Sequence, residues 1–504
     1  MATANVRQFL GVPYASAGRW EAPTLPLNRT TIFKATKFSD ACVQNLAPSN
    51  LEFLKLSGGQ GIGIPESEDC LTANIWVPSL NRKQKTAVLI WIHGGGFQWG
   101  TLILSPKSNL AIYNGQNFVR DNDDIAIVTF NYRLNVFGQP NAPQLLSKTK
   151  SQNFGLLDID AAIQWVHTNI AAFGGDPERI SLFGQSAGSM AVDAYSFMHP
   201  NDTIVKGTIQ MSGTLIQGDS PGGLANATYE GDIWNSLAES LNCGNGKSKF
   251  NTQTFTKLLP ILDPDDAQLA CMKAVPFRTL EDAVMKFGAI VFKAFIDDIT
   301  LFTDLPQRIA SGKFLKVPLL SGSVLNENDI FVVAAELTTP PSIVFPLLTE
   351  VAADLQTQVA FTCPAGTNAQ DRLNVNLPVW RYQYQAVFSD LSTRPELRSY
   401  HQAEVPIVFG TYDTAISAVK STTTEVNLSK YMQKAWVAFA RDPANGLTNY
   451  GWPTYNATSD SLVQLGGPAN PSGLSLGQGS LLDHTCNHSD ELLTFAIQLS
   501  SNFA

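Results

Sequence analysis

Gly184-Gln185-Ser186-Ala187-Gly188 places one serine between two glycines, after the apolar run Ile180 to Phe183 and before a helical pattern over Ala187 to Met198. A strand running in, a sharp turn and a helix running out leave the serine hydroxyl clear of its own backbone, the setting of a nucleophile elbow. The same G-x-S-x-G spacing occurs twice more. In Gly218-Asp219-Ser220-Pro221-Gly222 the residue after the serine is proline, which has no N–H to give to a developing oxyanion, so this segment reads as a turn. Gly473-Leu474-Ser475-Leu476-Gly477 follows the Pro- and Gly-rich stretch Gly466 to Ser472 and reads as a loop. Ser186 is therefore the candidate nucleophile.

Attack on an acyl carbonyl puts negative charge on its oxygen, and that charge needs donors already in place. His93-Gly94-Gly95-Gly96-Phe97 follows the buried-strand pattern Ala87 to His93, and its three glycines let successive backbone N–H groups converge. One such donor is worth ~3 kcal/mol in the transition state. Gly95 and Gly96 are assigned as donors, with the Ala187 N–H as the third. A phosphate loop is excluded, because a Gly-Lys-Ser/Thr ending and the dinucleotide glycine spacing are both missing.

These residues need a rigid frame. Short apolar runs at Ala87 to His93, Ile125 to Asn131, Ile180 to Phe183, Val317 to Ser321 and Val379 to Tyr384 read as buried strands. Between and after them Leu156 to Ile170, Ala187 to Met198 and Leu428 to Ala440 carry helical spacing. The alternation implies an α/β fold with a large, mainly parallel twisted sheet and helices on both faces.

The chain has 504 residues, 44% hydrophobic and 15% charged, and a formal charge of -9 without basic runs. That balance disfavours nucleic acid and anionic membrane as partners, and small uncharged substrates stay open. No apolar stretch approaches the ~20 residues of a membrane span. Six cysteines and sequons at Asn28, Asn201, Asn226, Asn427, Asn456 and Asn487 point to a secreted protein whose signal peptide is absent from this chain. No Cys or His cluster has zinc spacing, so neither metal nor other cofactor is expected.

The motifs jointly resemble the type B carboxylesterase, lipase and cholinesterase family, secreted fungal carboxylesterases included. Phe9 to Ala15, Ser67 to Leu71, the HGGGF run and Phe183 to Gly188 stand in the family's order. Asn131 to Arg133, Asn153 to Asp158, Phe173 to Pro177, Val379 to Tyr382, His401 to Gly410 and Phe439 to Pro443 extend the resemblance to the C-terminal third. It implies an α/β-hydrolase fold, serine carboxylesterase activity on small-molecule esters and a single catalytic domain over residues 1–504, against the two or three domains that length suggests. Two departures stand out. The FLGVPYA block begins at Phe9, so an N-terminal hairpin is expected to be truncated. Gln185 stands beside the nucleophile where the family usually carries Glu, which should weaken attraction for cations.

A serine needs a base, and the base an acid to fix its tautomer. His93 belongs to the glycine loop, His167 lies on a helix, His199 precedes Pro200, and His484 and His488 flank Cys486. His401 remains and matches the family base. The acid falls between Ser186 and His401 if the order Ser, acid, His holds. Many carboxylates qualify. Glu327 is preferred because it follows the strand Val317 to Ser321 and resembles the family's acid segment, with Asp329 as runner-up. Ser212 resembles a hydroxyl close to the acid, though a plain loop serine is nearly as good a reading. The resemblance implies the pairs Cys42 with Cys70, Cys243 with Cys271 and Cys363 with Cys486, a choice that spacing alone leaves open among fifteen pairings. It also makes the Cys42 to Cys70 loop a lid or pocket rim. A lipase on long-chain glycerides and, further off, a non-catalytic adhesion module on the same fold are the alternatives. The oligomeric state is not legible.

Overall fold

The computed structural model describes residues 5–27, 31–58, 62–79, 82, 84–100, 112–216, 227–244, 264–338, 346–414 and 419–486. Its frame is a 10-stranded sheet in the order β1-β2-β4-β3-β5-β6-β7-β8-β9-β10. The strands are β1 Val6–Pro13, β2 Thr72–Pro78, β3 Thr86–Ile92, β4 Ile125–Phe130, β5 Gly175–Gln185, β6 Val205–Met211, β7 Leu319–Val324, β8 Val379–Tyr384, β9 Asp460–Leu465 and β10 Leu474–Gln478. From β4 to β9 every pairing is parallel, whereas β1 with β2, β2 with β4 and β9 with β10 are antiparallel.

The alternation of β3 shows why the sheet must be covered on both sides. Ala87, Leu89 and Trp91 enter one core together with Met432, Ala435, Trp436 and Phe439 of the helix Thr423–Arg441. Val88, Ile90 and Ile92 enter the other, with Ile159, Ile163 and Val166 of the helix Phe154–Phe173 and Met190, Ala191 and Ala194 of the helix Ala187–Met198. Successive side chains of a strand point to opposite faces, so an unbroken apolar run requires a hydrophobic layer on each.

The helix Thr423–Arg441 starts earlier than its apolar pattern suggests. A capping box sets the start: the Glu425 N–H donates to Thr422 Oγ1, and the Thr422 N–H donates to Glu425 Oε2, both at 3.2 Å. Strand β5 also begins before the apolar run, with Gly175 paired to Thr86. The loop expected around Ser475 is corrected by the structure. Leu474–Gln478 is the outermost strand, because its residues pair antiparallel with β9. Ser220 lies outside the described residues.

The three cystine pairs are Cys42–Cys70, Cys243–Cys271 and Cys363–Cys486, as the resemblance implies. Among the described residues no helix is long and apolar enough to cross a membrane.

Candidate functional site

The site is built at the C-terminal edge of the parallel strands. Strand β5 ends at Gln185, the helix begins at Ala187, and Ser186 between them has φ 57° and ψ -126°. Left-handed backbone at a non-glycine residue is strained and survives only where its surroundings over-determine it. Here the Ser186 N–H donates to the Met211 carbonyl at 2.9 Å, and the Ser186 carbonyl accepts from the Met190 N–H at 3.0 Å. The neighbouring glycines are there for close approach. A Cβ on Gly188 would lie 2.0 Å from the Ile92 carbonyl oxygen, and one on Gly184 would lie 2.4 Å from that of Gly188. Ser186 is partly exposed, and its hydroxyl has no hydrogen-bond partner among the described residues.

His401 and Glu327 come together from distant segments. His401 Nδ1 lies 2.5 Å from Glu327 Oε2, and both side chains are buried. Glu327 is held in turn by the Val324 N–H, which donates to Oε1 at 2.8 Å. The other imidazole nitrogen, Nε2, lies 3.0 Å from the Gln185 side-chain amide nitrogen, so the ring is seated against the elbow. The rings of Phe331 and Phe361 pack on the imidazole with centroids 5.1 and 4.9 Å away. Phe361 belongs to a π-helical segment, Gln358–Thr362, between two α-helices. Such segments are often found at functional sites.

The runner-up acid is otherwise engaged. Asp329 binds the Arg398 guanidinium, with Nη2 2.7 Å from Oδ1 and Nε 2.9 Å from Oδ2. His93 does not face the elbow as a base either: burial pushes its imidazole down to about 4, and its Nδ1 lies 2.9 Å from the Gly94 carbonyl oxygen. Ser212 sits next to the site in left-handed backbone, and its N–H donates to the Gly322 carbonyl at 2.8 Å. Its hydroxyl is buried without a partner among the described residues, so no hydrogen bond links it to Glu327. Glu404, on the turn that follows His401, is wholly buried, and neither carboxyl oxygen has a partner among the described residues. Burial, with the nearby Glu327 charge, pushes its carboxyl well above the usual carboxylate range.

Gly95 and Gly96 adopt φ 104° and 60°, and their N–H groups have no protein acceptor among the described residues. The Ala187 N–H opens its helix and so has no partner within that helix. The brace of this glycine loop is the part that sequence reasoning missed. The Gly100 N–H donates to Gln44 Oε1 at 3.0 Å, the Asn45 N–H to the Gln98 carbonyl at 2.8 Å, and the Asn135 N–H to the Phe97 carbonyl at 2.7 Å. Gln98 Nε2 reaches the Phe292 carbonyl at 2.6 Å. Gln44 and Asn45 lie inside the Cys42–Cys70 loop, so that loop holds the glycine turn as well as bordering the site. Asn and Gln at irregular spacing leave no periodic pattern by which they could be found.

A Cβ on Gly95 would sit 1.9 Å from the Trp99 carbonyl oxygen at a φ no alanine tolerates comfortably. Gly95→Ala is therefore expected to displace the loop and to lower kcat by about 10²- to 10³-fold, the usual loss for one oxyanion donor. Steady-state kinetics with a thermal melt checks that the loss is catalytic rather than global.

Comparison with known proteins agrees with this geometry. The model of the carboxylesterase family matches residues 1–342 and 347–480. A chlorogenic acid esterase of Aspergillus niger is 32% identical over 91% of this chain and 86% of its own. Secreted lipase 5 of Gibberella zeae is 32% identical over 92% of this chain and 86% of its own. Among solved structures, a PNB esterase superimposes with a TM-score of 0.72 at 25% identity, covering 98% of this chain and 96% of that one. The sheet order and its helical layers are those of the α/β-hydrolase fold. With the family match running through the elbow, the glycine loop and the segment around His401, the chain belongs to the carboxylesterase family and is a carboxylic ester hydrolase.

Proposed function

We propose that the protein cleaves short to medium acyl esters in solution through an acyl-enzyme on Ser186, with His401 as base and Glu327 as its acid partner. The observation that carries this reading is the short contact between His401 and Glu327, with the opposite ring nitrogen seated at the serine elbow. Glu327 accepts from Nδ1–H, so Nε2 carries the lone pair. In the first half-reaction Ser186 Oγ bonds to the ester carbonyl carbon while its proton passes to His401 Nε2. The carbonyl oxygen, now negative, accepts from the N–H groups of Gly95, Gly96 and Ala187. The C–O bond to the alcohol then breaks, and His401 gives its proton to the leaving oxygen. Water then gives a proton to His401 Nε2 as its oxygen bonds to the acyl carbon, the bond from that carbon to Ser186 Oγ breaks to release the acid, and His401 returns the proton to Oγ. No step needs a metal or cofactor. An adhesion module would have no use for a nucleophile, base and donor set at one point.

The preference for soluble esters rests on the Cys42–Cys70 loop. An interfacial lipase must expose a large apolar surface when its flap opens. The helix Pro48–Leu56 instead buries Phe53, Leu54 and Leu56 in the core, with the Phe53 ring 5.6 Å from Trp99 and 5.2 Å from Phe331. The name of the Gibberella zeae relative supports the lipase alternative and also a secreted protein, as do three disulfides. Exposed Asn201, Asn427 and Asn456 are open to glycan, whereas Asn28, Asn226 and Asn487 lie outside the described residues.

The test is a series of nitrophenyl esters of rising chain length beside emulsified triolein. Soluble butyrate-length esters should be cleaved fastest, with no activation at an interface. A jump in rate as substrate passes its solubility limit would favour the lipase reading instead.

A further inference from the structure

We infer that Gln185 is a positioning residue for His401: its side-chain amide holds the imidazole in place as the neutral base until the serine hydroxyl takes its seat. The inference rests on the assignment of His401 as base. The geometry that carries it is the 3.0 Å contact between Gln185 Nε2 and His401 Nε2, within a side chain that is 2% exposed.

Donor and acceptor logic fixes what this contact means. Glu327 occupies Nδ1 at 2.5 Å as an acceptor, which leaves the proton on Nδ1 and a lone pair on Nε2. An amide nitrogen can only donate, so Gln185 complements the free base and not the imidazolium. Among the described residues Ser186 Oγ makes no hydrogen bond, so the resting imidazole has the amide, not the serine, at its reactive nitrogen. Acylation then requires an exchange of partners at one atom, with the ring already at the elbow.

The side chain is itself held by the site. The backbone of Gln185 continues β5 and pairs with Met211. On the side of the glycine loop there is no spare room, since a Cβ on Gly94 would lie 2.9 Å from Gln185 Oε1 and 2.7 Å from its carbonyl oxygen. One residue thus touches the oxyanion loop, the nucleophile's turn and the base.

The other groups around the ring do not take over this task. Glu327 is at Nδ1, and Glu404 is buried, its carboxyl pushed well above the usual carboxylate range by burial. The helix Asp329–Thr338 and the π segment offer only the rings of Phe331 and Phe361. Gln402, next in sequence, donates its amide to Tyr113 Oη at 3.2 Å, and Arg398 is engaged with Asp329 and Asp354. Among the described residues, the side chain at position 185 is therefore the one in contact with Nε2.

The test compares pH profiles of kcat/KM for wild type, Gln185→Glu and Gln185→Met, each normalised to active sites titrated with an organophosphate. A carboxylate at this place only accepts, and so favours the imidazolium. The acidic limb of Gln185→Glu should move upward by about one pH unit or more, the scale of an opposite charge in contact. Gln185→Met keeps the volume and removes the donor; its kcat should fall about tenfold with KM little changed, because the imidazole is no longer held at the elbow and must be oriented at each turnover. In ¹⁵N spectra of the resting enzyme the His401 Nε2 resonance should shift between wild type and Gln185→Met. A Gln185→Glu limb that coincides with wild type, or a Gln185→Met kcat that is unchanged or higher, would overturn the inference. Loss of the limb in the wild type itself would instead count against His401 as base.

Discussion

Ser186→Ala is expected to lower turnover of a nitrophenyl ester by several orders of magnitude, because nucleophile and base act as a unit and removal of either disables both. His401→Ala should cost about as much. What remains should be the small acceleration that binding and oxyanion donors give alone, roughly 10³- to 10⁴-fold over water. Folding should survive the serine change, since its hydroxyl makes no hydrogen bond among the described residues and its backbone is held by Met211 and Met190. Equal melting temperatures with turnover reduced to background would match the account. Substantial turnover in preparations free of wild-type protein would contradict it.

The second large effect separates two carboxylates only two residues apart. Glu327→Gln removes the acceptor from His401 Nδ1 and offers an amide donor in its place, so the ring is driven to the tautomer with its proton on Nε2. A loss of about 10³- to 10⁴-fold in kcat is expected, with KM little affected. Asp329→Asn should behave differently. It weakens a paired contact to Arg398 at 2.7 and 2.9 Å, which ties the segment before His401 to the helix after Glu327. Its cost should appear as stability, on the order of 1–3 kcal/mol, with kcat within tenfold of wild type. Kinetics and urea denaturation of both variants measure the contrast. The reverse pattern would make Asp329 the acid.

The contrast also shows where sequence reasoning stops. The elbow was legible because strand, turn and helix each leave a local pattern, and Pro221 removed one decoy by chemistry alone. The segment around Ser475 reads as a loop after the Gly-rich stretch Gly466 to Ser472, yet Leu474–Gln478 forms β10 because β9 offers an open edge. Strand β6, Val205–Met211, leaves no such pattern, since Lys206, Gly207, Thr208 and Gln210 break any apolar run, and its place between β5 and β7 makes it a strand. Chain order leaves many acids open; what separates Glu327 from Asp329 is the contact of Asp329 with Arg398, which no spacing rule connects to it.

The brace of the glycine loop and the contact between Gln185 and His401 were invisible for a related reason. Both are made by amide side chains that bond groups far away in sequence, from Gln44 to Gly100 and from position 185 to position 401. Buried polar groups must find partners, so such contacts follow once the backbone is placed, but nothing in their spacing announces them. Resemblance supplied what periodicity could not in one further case. Cys363 and Cys486, 123 residues apart, pair as the family pattern implies.

The central claim is that one serine has both a base and a set of oxyanion donors, and covalent labelling tests it most directly. The native enzyme is treated with a fluorophosphonate at neutral pH, digested and mapped by mass spectrometry. One label per chain is expected, on the peptide containing Ser186, absent from Ser186→Ala and much slower to form in His401→Ala. A label on Ser220 or Ser475, or a Ser186→Ala variant labelled as readily as wild type, would contradict the assignment.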